Sequence, residues 1–157
     1  MELNIRKANQ DDCYQLFKWV NDPMVRESSF NSDRIEWDSH QVWFKEQLSR
    51  KDCWIYMATN KDEKSVGQVR FDQVSISDVE VDVSVSSKYR GNGVGLSLIK
   101  FCIEKLRSDA EIKYVIAWVK ESNISSLKTF IKAGFIVKKT ILRNRIKSIC
   151  LIFSMKD

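Results

Sequence analysis

The stretch YRGNGVG, residues 89–95, holds three of the five glycines in this chain, at alternate positions. The preceding residues, DVEVDVSVS at 78–86, alternate between polar and apolar as a half-buried strand does. The following residues, 94–107, have the apolar spacing of an amphipathic helix. A glycine-bearing turn between a strand and a helix can hold a phosphate, because open backbone N–H groups and a helix N-terminus then face one anion. This stretch therefore predicts an anion-binding loop.

The spacing of the loop separates three kinds of phosphate site. A P-loop needs Lys and Ser or Thr directly after its last glycine, whereas Leu96 and Ser97 follow here. The dinucleotide fingerprint is G-x-G-x-x-G after a first strand, whereas this loop is G-x-G-x-G in mid-chain. The third pattern, Arg-x-x-Gly-x-Gly, is met by Arg90, Gly93 and Gly95. We therefore expect the loop to hold the pyrophosphate of an acyl-coenzyme A, with added charge from Lys88 and Arg90.

Length and composition limit the class of protein. The 157 residues, 43% apolar and 30% charged, predict one globular domain spanning 1–157. The apolar runs are too short for a membrane span, and the N-terminus lacks the apolar core of a secretion signal. The four cysteines form no CxxC pair and there is one histidine, so we expect free thiols, a cytoplasmic location and no metal site. The basic hairpin at 138–147 has no aromatic platform, so a nucleic-acid partner is not expected.

Hydrophobic periodicity predicts eleven elements in the order β-α-α-β-β-β-α-β-α-β-β. Antiparallel strands lead into one strand–helix–strand unit, which predicts an α+β fold with a mixed central sheet flanked by helices. We expect a loop at 24–34 and a monomer or a homodimer. The predicted strands are 3–8, 53–59, 65–71, 78–85, 113–119, 135–142 and 148–155, and the predicted helices are 11–21, 36–49, 94–107 and 123–133.

Two motifs in this order resemble the GNAT superfamily of N-acetyltransferases. VSSKYRGNGVGLSLIKF, residues 85–101, resembles the acetyl-CoA loop of that superfamily. NISSLKTFIKAGF, residues 123–135, resembles its Asn-x-x-Ala/Ser-x-x-x-Tyr-x-x-x-Gly-Phe segment. The resemblance implies that the chain is an enzyme that uses acetyl-CoA as a co-substrate and belongs to a GNAT-like fold.

The resemblance also implies which residues hold the coenzyme. In the superfamily the strand before the loop splays from its neighbour, and the pantetheine arm lies in the gap. The asparagine of the second motif hydrogen-bonds this arm. A tyrosine of that motif often protonates the leaving thiolate, but Phe130 stands in its place and has no proton to give. The implied coenzyme-binding residues are Val83, Ser84, Val85, Lys88, Arg90, Gly91, Asn92, Gly93, Val94, Gly95, Leu96, Asn123, Ser126 and Phe130.

Acetyl transfer to an amine needs a base, because only the neutral amine attacks the thioester. The segment EVDVSV places Glu80, Asp82 and Ser84 on one face of a strand. We expect Glu80 to be the base, because members of the superfamily often carry an acid at this position, with Asp82 as the second choice. A strand N–H near Val85 would stabilise the carbonyl oxygen. His40 is a third catalytic candidate, although its spacing also fits the packed stripe of its helix.

The N-terminal third resembles GNAT enzymes that acetylate amino groups on nucleotide-linked sugars of the pseudaminic-acid type. This resemblance implies a UDP-type amino sugar as acceptor, bound by Arg26, Ser29, His40 and Trp43. Similar segments occur in acetyltransferases for polyamines, aminoglycosides and ribosomal-protein N-termini, so these amines remain open. A non-catalytic CoA-binding regulator is a further alternative. The features that carry the resemblance are Trp19, Asn21, Asp22, Pro23, Val25, Arg26, Ser29, Ile35, His40 and Trp43.

Overall fold

The structure is a computed structural model that describes residues 1–156. It contains seven strands and five α-helices, with short 3-10 turns before α1 and before α4. The helices are α1 (Cys13–Val20), α2 (Pro23–Ser28), α3 (Trp37–Ser49), α4 (Val94–Asp109) and α5 (Ile124–Lys132). The strands are β1 (Asn4–Lys7), β2 (Cys53–Thr59), β3 (Ser65–Gln73), β4 (Asp78–Val85), β5 (Tyr114–Lys120), β6 (Ile136–Arg143) and β7 (Ile146–Ser154).

All seven strands form one sheet in the order β1-β2-β3-β4-β5-β7-β6. The β4–β5 pair is parallel and is connected through α4, whereas every other neighbouring pair is antiparallel. The predicted α+β fold with a mixed central sheet, and the predicted strand order along the chain, are therefore confirmed.

Side chains of the two sheet faces pack into separate apolar clusters. On one face, Val69 and Val79 pack with Leu98 and Leu106 of α4, and all four are fully buried. The opposite face of β2 packs against α1 and α3 in a second cluster. Strand pairing places the polar side chains of β3 and β4 on this second face, since Met57 lies opposite Gln68 and Gln68 lies opposite Ser84. The site described below occupies this face.

The segment after α1 differs from the prediction. The first helix ends at NDP as predicted, since α1 ends at Val20, but NDP also begins α2 where we expected a loop. Asp22 caps α2 by accepting a 3.0 Å hydrogen bond from the Met24 N–H. Pro23 occupies the first position of the helix, where its missing N–H costs nothing. The same three residues therefore end one helix and start the next.

No helix within residues 1–156 is both long and apolar enough to cross a membrane. The four cysteines have free thiols. Burial raises the pKa of the Cys102 thiol to about 12, which makes this thiol unreactive at neutral pH.

Candidate active site

A wedge-shaped gap opens between β4 and β5. The two strands pair only through Asp78–Glu80 and Tyr114–Ile116, and β4 continues to Val85 without a partner on that side. β3 remains paired with β4 along this whole length, so one edge of the β4 backbone is bonded while the other edge stays open. The unpaired N–H and C=O groups of 81–85 can hydrogen-bond a narrow amide-containing arm in the gap. This separation of β4 from β5 is the splay that the resemblance to the GNAT superfamily implied.

The gap leads into the glycine loop, which we define as residues 90–96. Gly91 and Gly93 have φ angles of 83° and 73°, which side-chain-bearing residues rarely adopt. A Cβ added at either position would meet nothing within 4 Å, so the space beside the backbone is open. No side chain caps α4, which leaves its first-turn N–H groups available. These groups fit a pyrophosphate, and the adjoining gap fits the arm of an acyl-coenzyme A.

Arg90, the first residue of the loop, and Lys88, just before the loop, differ in their contacts. Arg90 pairs with Asp22 at 3.1 Å and donates from Nε to the Val85 carbonyl at 3.0 Å. Its predicted contact with a pyrophosphate would use the remaining N–H groups or break this pair. Lys88 is exposed and lines an outer groove together with Lys18 and residues of the β2–β3 turn.

A central pocket of about 200 Å³ lies on the same sheet face, next to the gap. It combines residues from α1, α2 and α3 with residues from strands β2, β3 and β4. The predicted acceptor residues Arg26, Ser29, His40 and Trp43 all line it, together with Asp82 and Ser84 of β4. Sequence reasoning missed two further lining residues, Gln68 and Arg70 of β3. Their signal was the polar alternation within the apolar strand SVGQVRF, which places both side chains on one face.

The two candidate bases of β4 have different surroundings. Asp82 lines the central pocket, accepts a 3.0 Å hydrogen bond from Gln68 Nε2 and lies 3.9 Å from Arg70 Nη1. Glu80 is not among the pocket residues, and its Oε2 accepts a 3.0 Å hydrogen bond from Trp118 Nε1 of β5. Glu80 pairs with Ile116 where the strands are still joined, whereas Asp82 lies where they have separated. The geometry therefore favours Asp82, our second choice, for contact with an acceptor.

The wall segment, residues 22–35, closes one side of the pocket. Arg26 holds this segment together, since its Nε donates to the Val20 carbonyl at 2.6 Å and its Nη1 donates to two carbonyls of the loop after α2. Its Nη2 donates to Ser29 Oγ at 3.1 Å. Asn21 and Ile35 exchange two further hydrogen bonds of 2.8 Å. If Arg26 binds a UDP-type acceptor, as the resemblance implies, the acceptor would have to compete with these bonds.

His40 is only 3% exposed and packs among the rings of Phe17, Trp37, Trp43 and Phe44. Its Nε2 lies 3.0 Å from the Cys13 carbonyl, so Nε2–H is the donor. Burial lowers the pKa of His40, and this hydrogen bond opposes the shift only in part. The histidine is therefore neutral at pH 7 and borders the pocket from inside an aromatic cluster.

The second predicted coenzyme motif lies at the start of α5. Asn123 caps this helix, because its Oδ1 accepts a 3.2 Å hydrogen bond from the Ser126 N–H. The Asn123 amide NH₂ remains the group that could bind a pantetheine arm. Phe130 is 6% exposed and packs edge-on against Phe135, with ring centres 5.0 Å apart. No group of acidic, cysteine or histidine residues suited to a metal is found within residues 1–156.

Comparisons with known proteins agree with this geometry. Residues 2–136 match the family described as Acetyltransferase (GNAT) domain. A search of curated proteins found no match. Among solved structures, spermidine N-acetyltransferase from Vibrio cholerae with CoA and spermine is 11% identical, with a TM-score of 0.88 over 97% of this chain and 95% of that one. Aminoglycoside acetyltransferase AAC(6')-Ib with coenzyme A and kanamycin is 17% identical, with a TM-score of 0.83 over 98% and 95%. A putative acetyltransferase, yncA from Salmonella typhimurium, with acetyl-CoA is 16% identical, with a TM-score of 0.82 over 100% and 96%.

Proposed function

Because the chain belongs to the GNAT acetyltransferase family, we propose that it uses acetyl-CoA to acetylate the amino group of a nucleotide-linked, UDP-type amino sugar. The observation that carries the proposal is the opening of β4 from β5 directly before the glycine loop, with Asp82 at the start of the open stretch. This arrangement gives the coenzyme arm a backbone edge and gives the acceptor amine a carboxylate within the same gap and pocket.

Asp82 takes the part of the base in this proposal. Bound acetyl-CoA supplies the thioester carbonyl that the amine attacks. Asp82 accepts the proton that the amine must lose, directly or through one water molecule. Gln68 orients the carboxylate through its 3.0 Å hydrogen bond, and Arg70 lies 3.9 Å away on the same face of the sheet. Phe130 cannot protonate the leaving thiolate, so we assign that proton to solvent in the gap.

The charge of the pocket supports a sugar over a polycation. Among the described lining residues Asp82 is the one carboxylate, whereas Arg26 and Arg70 are both cationic. Spermine and kanamycin, which are bound in two of the comparison structures, carry several positive charges at neutral pH. Such a ligand would need further carboxylates to offset its charge. An acceptor with one amine and a hydroxyl-rich remainder fits these side chains better.

A mass-spectrometric screen tests the acceptor. Acetyl-CoA is incubated with UDP-4-amino sugars, spermidine, kanamycin and N-terminal peptides, and we expect the acetylated product with the UDP-amino sugar. Acetylation of spermidine, kanamycin or a peptide but not of the sugar would remove the proposed acceptor and leave the acetyltransferase assignment. Uptake of CoA with no turnover of any amine would favour a non-catalytic regulator.

The base is tested with a matched pair of variants. Asp82→Asn should lower kcat/KM by roughly 10²–10⁴-fold, because the neutral amide cannot accept the proton. Glu80→Gln keeps the acceptor for the Trp118 N–H and should have a smaller effect. The opposite ranking, or a pH–rate profile unchanged in Asp82→Asn, would return the role to Glu80.

A further inference from the structure

Three side chains beside the central pocket form a group that we call the Arg143 cluster. They are Phe30, Trp118 and Arg143. The Arg143 guanidinium carbon is 4.7 Å from the centre of the Trp118 ring and 5.1 Å from the centre of the Phe30 ring. All three side chains are partly exposed. The two rings come from β5 and from the wall segment, so three distant parts of the chain meet at this guanidinium.

The described contacts of the Arg143 side chain are with two aromatic rings and involve no hydrogen bond from its N–H donors. A cation–π contact uses the planar face, whereas the N–H donors point outward within the plane. Within residues 1–156, Arg143 makes no side-chain hydrogen bond and no ion pair within 4.0 Å. In contrast, Arg26, Arg70 and Arg90 all donate to protein oxygens. Arg143 therefore contacts two aromatic rings, and its hydrogen-bonding capacity is not used by the described residues.

The cluster adjoins the central pocket along two routes. Along β4, Trp118 donates to Glu80, and Glu80 lies two residues before Asp82 on the same face. Along the wall segment, Phe30 directly follows Ser29, which lines the pocket. An acceptor whose amine reaches Asp82 can therefore extend toward the edge of Arg143.

The surrounding charge favours an anion. The hairpin at 136–147 contains five lysines and arginines and no acidic residue. These residues produce a positive field on the strand that carries Arg143. A planar guanidinium with free edge donors binds phosphate or carboxylate oxygens in pairs.

We infer that Arg143 is a specificity-determining residue that binds a phosphate or carboxylate group of the acceptor amine. This inference rests on the proposed function, because it assigns one contact of the same acceptor. It explains how the chain could select an anionic sugar derivative although Arg26 is occupied by its own wall segment. Phe30 and Trp118 then act as positioning residues that hold the guanidinium.

The test compares three acceptors that differ in one group: glucosamine, glucosamine 6-phosphate and glucosaminuronic acid. We expect wild-type kcat/KM to be about 10–100-fold higher for the phosphate or the carboxylate form, the range of one or two charged hydrogen bonds. The phosphate and carboxylate arms show which anion is the better ligand. Arg143→Gln should remove most of this preference through KM, and Arg143→Lys should keep part of it. Lys147→Gln, an exposed change on the same hairpin, should leave the preference intact.

Two outcomes would overturn the inference. One is an equal loss for all three acceptors in Arg143→Gln, which would mean that Arg143 only fastens the wall segment. The other is a wild-type preference for glucosamine or spermidine over both anionic forms. If Arg143→Gln does not fold, the salt dependence of wild-type KM decides, since only anionic acceptors should bind more weakly at high salt.

A different measurement, CoA binding, shows whether the proposed function itself fails. Calorimetry with CoA alone tests the glycine loop, which does not involve Arg143. If CoA does not bind to the wild-type chain, the acetyltransferase proposal fails. If CoA binds and amines are acetylated without any preference for an anionic group, only the role of Arg143 fails.

Discussion

The glycine loop at 90–96 and the wall segment at 22–35 meet at the Arg90–Asp22 ion pair and face the same gap, but they are built differently. The loop presents main-chain groups, and its glycines keep the space beside the backbone open. The wall segment is held by side chains that donate to distant carbonyls, as Arg26 and Asn21 do. A site made of main chain depends on a few consecutive residues, whereas a site made of side chains depends on partners far along the chain.

The largest expected effect is a loss of CoA affinity when a side chain is added to the glycine loop. Gly93→Val forces a β-branched residue to a φ of 73°, at a cost of about 1–2 kcal/mol in unfolding free energy. The added side chain would also cover the N–H groups that we propose hold the pyrophosphate, so CoA affinity should fall roughly 100-fold, as for two lost charged hydrogen bonds. Calorimetry measures the affinity and urea denaturation measures the stability.

Gly134→Ala is the matched control, because Gly134 has a φ of 102° outside the loop. It should lower the unfolding free energy while CoA affinity stays normal. Normal CoA affinity in Gly93→Val would mean that the loop does not hold the coenzyme.

The second largest effect should be a loss of stability when the hydrogen bonds that hold the wall segment are removed. Arg26→Ala removes four hydrogen bonds and leaves carbonyls without partners, so the free energy of unfolding should fall by about 2 kcal/mol. Backbone amides of 22–35 should exchange faster with deuterium, while CoA affinity changes little. Arg34→Ala, an exposed residue of the same segment, serves as the control. Equal effects of the two changes would contradict the role of Arg26.

A pH-dependent effect is expected from the aromatic cluster behind the wall segment. Burial lowers the pKa of His40, so below about pH 6.5 the unfolded chain binds more protons than the folded chain. This contribution to stability is complete above pH 6.5 and is lost as the pH falls. His40→Gln keeps a donor for the Cys13 carbonyl but does not titrate, so urea midpoints between pH 7.5 and 5.5 should change less. An unchanged pH dependence would show that His40 is not the titrating group.

The smallest effect should come from the contact that joins the two regions. Asp22→Asn keeps an acceptor for the Met24 N–H but removes the charge that faces Arg90, at a cost of roughly 0.5 kcal/mol. Released Arg90 can turn to the pyrophosphate, so CoA affinity should rise slightly. A fall in CoA affinity, measured by calorimetry, would mean that the pair helps to shape the loop.

The difference between a main-chain site and a site of distant side chains explains which parts of the candidate site could be predicted from the sequence. The glycine turn and the strand before it were predicted correctly in place, because their signals are local spacings of glycine and alternating residues, whereas the splay of that strand was implied only by the resemblance to the GNAT superfamily. The four predicted acceptor residues line one pocket, and the burial of His40 agrees with its place on the packed stripe of its helix, but the contacts of Arg26 could not be anticipated. Gln68 and Arg70 were missed since strand alternation shows that two residues share a face, not which helix covers that face.

The amino-acid sequence by itself determined the order of the strands and of the four longer helices, the mixed sheet and the position of the glycine loop, because periodicity and backbone freedom act over a few residues. Only the tertiary structure separated Asp82 from Glu80. Both acids lie on one face of β4, and the difference arises where β5 leaves β4 and Trp118 reaches Glu80. Only the tertiary structure brought Arg143 to Phe30 and Trp118, because Phe30 lies more than a hundred positions before Arg143 and Trp118 lies on a different strand.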